Sequence, residues 1–193
     1  MLEIYIIRPG STEFDRQGRI QGNLDVPLNV EGRKEVGRVI DQLRERRFHA
    51  LYCAPCEAAE QTAQAIADAL GTKSKVIEKL QNIDHGLWQG MLIDDVKTKQ
   101  PKVYRKWQEQ PESICPPQGE MLSAARQRVQ QAMAKLLKKH REGAIGLVVP
   151  GPIATLVRLE LRGGKSLGDL WKSEECGKWE VVVIEPSPPV ATG

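Results

Sequence analysis

Residues Leu2 to Ser11 read LEIYIIRPGS. The apolar run Leu2 to Ile7 predicts a buried strand, and the Arg, Pro, Gly and hydroxyl residues that follow predict that it stops in a loop able to hold an anion. Pro9 is the odd member of that loop. Its tertiary amide nitrogen carries no hydrogen and cannot attack anything, so proline is a poor residue for the centre of a reactive turn.

Outward from this stretch, the chain alternates between strands and helices. A polar loop, Gly10 to Leu28, leads to a helix capped by Asn29 with Val36, Val39, Ile40 and Leu43 on one face. HALYC (49–53) reads as a second strand, and Ala59, Ala63, Ile66 and Leu70 line a helix closed by Gly71. SKVIEKL (74–80) is expected as a third strand before the loop QNIDHGLWQG (81–90). Residues 91–109 and 119–142 predict helices, AIGLVV (144–149) a strand, GPIATLVRLEL (151–161) a helix and WEVVVIE (179–185) a last strand. Apolar strands separated by helices imply an α/β fold of three layers, a mostly parallel sheet with helices on both faces. Residues 1–184 read as a single domain and 185–193, EPSPPVATG, as a flexible tail. In such sheets ligands sit beyond the carboxyl ends of the strands, so the loops at Arg8, Ala54, Asn82 and Pro150 are expected to converge.

Composition narrows the function classes. The 193 residues are 40% hydrophobic and 27% charged, enough for one substantial core. The net charge of +3 is mild, and the basic stretches LRERRFH (43–49) and AKLLKKHREG (134–143) fall at helix ends, where cations complement the dipole. Nucleic acid is therefore not expected as a partner. Glu3 stands where a secretory signal would be basic, and no window approaches about 20 apolar residues. A cytoplasmic location without membrane contact is the expectation. Cys53 and Cys56 form CAPC at a strand-to-helix junction, an arrangement that redox proteins use, but no second pair completes a zinc site. Cys115 and Cys176 carry no readable spacing, and Trp107 and Trp171 read equally as core or interface.

The segment IRPGSTEFDRQGRIQGNLDVPLNVEG (7–32) resembles the opening of the histidine phosphatase superfamily, in its phosphoglycerate-mutase-like branch. APCEAAEQTA (54–63), LQNIDHGLWQG (80–90) and VVPG (148–151) are similar to later segments of the same family, in the same order. The resemblance runs to about residue 184 and implies the family's fold. It also aligns four substitutions: Pro9 where the family has its nucleophilic histidine, Ala58 for a phosphate-clamping arginine, Asn82 for the acid, and Pro150 for a second histidine.

Phosphoryl transfer through a phosphohistidine needs an imidazole nucleophile, a proton donor and cations around the equatorial oxygens. With these positions substituted, no catalytic residues are expected. The implied function is a catalytically inactive, phosphatase-like protein that binds a partner protein or small ligand over the degenerate phosphate pocket. The ligand would meet Arg8, Gly10, Thr12, Asp15, Gln21, Gly22 and Asn23, with no cofactor, no metal and a homodimer left open. Asp15 stands where the family commonly has asparagine and adds a negative charge. Two alternatives stand beside this reading. One is a phosphatase or mutase with relocated or residual phosphohydrolase activity, for which His85 of IDHG is the candidate nucleophile. The other is thiol redox chemistry at Cys53 and Cys56.

Overall fold

A computed structural model describes residues 1–163 and 175–185. Strand β1 (Leu2–Ile7) is buried along almost its whole length and sits inside a five-stranded sheet. After it come a one-turn helix α1 (Glu13–Gln17), α2 (Val30–Leu43), β2 (Ala50–Cys53), α3 (Glu57–Leu70) and β3 (Ser74–Val76). Two 3-10 turns lead to α4 (Ile93–Lys99) and α5 (Pro101–Glu109), then α6 (Leu122–Lys139), β4 (Gly143–Val148), α7 (Gly151–Arg162) and β5 (Trp179–Ile184).

The sheet order is β3-β2-β4-β1-β5, parallel throughout except for β5, which runs antiparallel to β1. From β1 the chain steps one way to β2 and β3, and from β3 it steps back to β4. Right-handed crossovers between the parallel strands place α2 and α3, which touch each other, on one face and α6 on the other, where α7 packs against it. The path thus reverses between β1 and β4, and a crevice opens at their carboxyl ends. Register makes this concrete: Ile7 pairs with Val148, so Pro9 and Pro150 both lie two residues beyond the same rung.

Several elements differ from expectation. Helix α1 forms inside a segment expected to be loop, because Thr12 and Asp15 make a reciprocal capping box and Gly18 closes the turn at φ 64°. Strand β3 is three residues long, and the chain turns through Glu78–Leu80 where strand was expected. The helix expected over 91–109 is two helices, broken where Pro101 has no N–H to continue the ladder. The helix over 119–142 is shorter, Leu122–Lys139. The tail beyond residue 185 and Trp171 lie outside the described residues.

The main core joins both helical layers to the sheet. A second, smaller cluster of Ile20, Trp88, Val96, Tyr104 and Trp107 underlies α4 and α5, which assigns Trp107 to a core. No helix among the described residues is long and apolar enough to cross a membrane.

Candidate functional site

The loop after β1 is fixed by backbone contacts that need glycine. A Cβ on Gly10 would collide with the Gly32 carbonyl, and one on Gly32 with the Ser11 carbonyl, so the loop crosses the first turn of α2 at backbone distance. Gly10 N donates to Thr62 Oγ1 (3.2 Å) and Ser11 N to Glu35 Oε2 (2.7 Å). On the other side, Arg8 N donates to the Lys178 carbonyl (2.7 Å) and Gly177 N to the Pro9 carbonyl (2.9 Å). The Arg8 side chain lies over Gly151 at the start of α7, where a Cβ would come within 2.7 Å of Cζ.

These loops enclose a cavity of about 790 Å³, and Pro9, Ala58, Asn82 and Pro150 all line it. Pro9 follows β1, Ala58 lies in the first turn of α3, and Pro150 caps α7. Asn82 arrives differently, after a 3-10 turn six residues beyond β3. Its carboxamide is committed to the scaffold, with Nδ2 donating to the Gly22 carbonyl (2.8 Å) and Oδ1 accepting from Ile83 N (2.9 Å).

Of the residues expected to meet a ligand, Arg8, Gly10, Thr12, Asp15, Gln21 and Gly22 line the cavity, and Asn23 does not. Asn23 is drawn away because its N–H donates to Gln89 Oε1 (2.8 Å). Thr12 and Asp15 satisfy each other: Asp15 Oδ2 accepts from Thr12 N and Oγ1 (both 2.7 Å), and Asp15 N donates back to Thr12 Oγ1 (3.2 Å).

His85 also lines this cavity. It is 4% exposed, and its ring meets Trp107 edge to face at 5.5 Å. Burial pushes the imidazole down to about 4, against the opposing pull of Asp84 and Glu120, so the ring is neutral at pH 7. Other contributors gave no sequence signal. Cys176 and Gly177 close the cavity from the segment before β5, and Ile93, Tyr104 and Trp107 wall it from α4 and α5. Burial pushes the Cys176 thiol up to about 12, reinforced by Asp15 and Glu35 and opposed by Arg8, which places those charges in one neighbourhood.

The CAPC thiols do not fit redox chemistry. Cys53 and Cys56 are free and buried, and burial pushes them up to about 12 and about 11, the opposite of an activated thiolate. Among the described residues no group of three His, Cys, Asp or Glu side chains is placed to hold a metal ion.

Residues 4–188 match the profile of the Histidine phosphatase superfamily (branch 1). The chain belongs to that family. It is 30% identical over 140 residues to phosphoserine phosphatase 1 of Hydrogenobacter thermophilus, a match covering 72% of this chain and 66% of that protein. It is 32% identical over 167 residues to the bifunctional protein Rv2228c of Mycobacterium tuberculosis, covering 85% of this chain and 45% of that protein. The chain therefore spans about two thirds of the first relative and under half of the second. A mutant phosphoserine phosphatase from Entamoeba histolytica, solved with phosphoserine, has the same fold at 24% identity, with a TM-score of 0.82 over 96% of this chain and 92% of that one.

These relatives overturn the expectation of an inactive, binding-only protein. The relative of 30% identity, from Hydrogenobacter thermophilus, is named a phosphatase, and inactivity does not follow from four substitutions. Pro9, Ala58, Asn82 and Pro150 put no ionisable side chain at those four places in the cavity lining.

Proposed function

We propose that this superfamily member is a phosphohydrolase acting on a small phosphate monoester, with its chemistry relocated to His85 and the phosphate held by Arg8. The observation that carries the reading is that His85 and Arg8 line the one cavity on which the four family positions converge. A neutral imidazole has the lone pair that a nucleophile needs, and burial keeps His85 in that form. In the step proposed, a ring nitrogen of His85 bonds to phosphorus as the bond from phosphorus to the leaving oxygen breaks. Water then cleaves the N–P bond, releasing inorganic phosphate and restoring the imidazole. The names of the relatives support a phosphate monoester as the substrate class. A cytoplasmic setting belongs to the same reading, supported by cysteines that remain free thiols.

The test is turnover of 4-nitrophenyl phosphate by the full chain, with an alkaline quench and mass spectrometry to locate a phosphoryl adduct. The expected result is slow hydrolysis with the adduct on His85, both abolished in His85→Ala. Turnover unchanged in that variant, or none in the parent, would overturn the reading.

A further inference from the structure

Two independent features of the cavity bear on what the phosphate is attached to. The first concerns the proton that an ordinary alcohol needs in order to leave. Asn82 carries a carboxamide, and both its ends are bonded to the Gly22 carbonyl and Ile83 N. Of the carboxylates that line the cavity, Asp15 accepts from Thr12 and Glu35 from Ser11 N, while Glu31 pairs with Lys34 and Arg38 and Glu175 with Lys178. With the amide of Asn82 in the acid's place and these carboxylates engaged, the arrangement favours departure of the oxygen as an anion. A phenol ionises near pH 10, as tyrosine does. An alkyl alcohol is closer to water, near 16.

The second feature is the apolar part of the cavity wall. Ile20, Ile93, Tyr104 and Trp107 line the cavity from the smaller core. Trp107 lies 5.5 Å from the His85 ring, 5.6 Å from Trp88 and 5.6 Å from Tyr104, measured between ring centres. A flat apolar group attached to a phosphate at Arg8 would find an aromatic surface beside His85.

We infer that the substrates of this site are aryl phosphates, with a planar aromatic leaving group seated against Tyr104, Trp107 and Ile93. The inference about leaving group rests on the phosphohydrolase reading, whereas the inference about binding rests on the wall alone. In the step itself the N–P bond to His85 forms, the P–O bond breaks, and its electron pair departs on a phenolate oxygen that takes its proton from water.

The experiment separates the two. Phenylphosphonate and methylphosphonate, which share the phosphate-like head and resist hydrolysis, are titrated into the full chain by calorimetry. Turnover of 4-nitrophenyl phosphate, phenyl phosphate and phosphoserine is measured alongside. Phenylphosphonate is expected to bind at least about tenfold more tightly than methylphosphonate, as aromatic burial predicts. Turnover is expected to fall from nitrophenyl to phenyl to phosphoserine. Tyr104→Leu, or Ile93→Ser at a half-buried position if the first does not fold, should shrink the tenfold preference and leave methylphosphonate binding unchanged. Equal binding of the two phosphonates, or phosphoserine turned over as fast as the aryl esters, overturns the inference. A phenyl preference without any turnover supports the aromatic seat and overturns instead the chemistry assigned to His85.

Discussion

A proton on His85 is costly because the ring is 4% exposed and packed against Trp107. Its folded-state value of about 4 lies below the ordinary 6.5, so the sign is fixed. The stability linked to the neutral ring is fully present above about pH 6.5 and is lost as pH falls toward 4, an amount of about 3 kcal/mol in total. Urea midpoints measured from pH 7.5 down to 4 should therefore slope less steeply in His85→Leu than in the parent. A parallel slope in the two proteins would mean that the ring is solvated. The same residue shows what the sequence leaves out. IDHG announces a turn, and nothing in those letters says that Trp107, twenty-two positions away, folds back against the imidazole. Pro9 and Pro150 are the opposite case. Their places were legible because each ends an apolar run, and strand register does the rest.

Elements were legible where one local cause dominates. Helix α2 follows from the Asn29 cap, whose Oδ1 accepts from Gly32 N at 2.7 Å, and from the buried stripe Val36, Val39 and Leu43. Helix α1 was not legible, since it has no buried residue and exists by capping alone. Asn82 reaches the cavity as expected, but by a route the sequence does not show, through a 3-10 turn, because Arg128 on α6 fixes that loop from a distance. Its guanidinium pairs in two places with Glu120 (2.8 and 2.9 Å) and donates to the carbonyls of Lys79 (2.9 Å), Gln81 and Asn82 (3.1 Å). Planar, five-donor geometry suits arginine here and lysine cannot reproduce it. Arg128→Lys should destabilise the protein by about 2 kcal/mol, since it leaves half-buried carbonyls without donors. Chemical denaturation measures this, and a cost within about 0.5 kcal/mol of zero, the range for ordinary surface changes, would remove Arg128 from that role.

At the scale of the molecule, the parallel sheet and its crevice follow from continuous apolar strands alternating with helices, all visible in the letters. The aromatic side of the cavity is a product of α4 and α5 folding over Trp88, a long-range contact that no local pattern encodes. The same sheet buries Cys53 at 1% and Cys56 at 4% exposure and holds both thiols well above the ordinary range. Iodoacetamide should consequently modify these two thiols slowly in native protein at pH 7.5, and their labelling should rise along the urea unfolding transition. Fast native labelling of Cys56 would show a loose junction between β2 and α3. The antiparallel strand at the sheet's edge has a mechanical consequence. Leu2 pairs with Ile184 across the first rung of the β1–β5 ladder, so opposing forces applied at those two residues pull across the strands and not along them. Hydrogen bonds loaded that way give way one after another, like a zip opened from its end. The parallel interior of the sheet feels the load only after β5 has peeled from β1 and carried Trp179 off the ring of Tyr5.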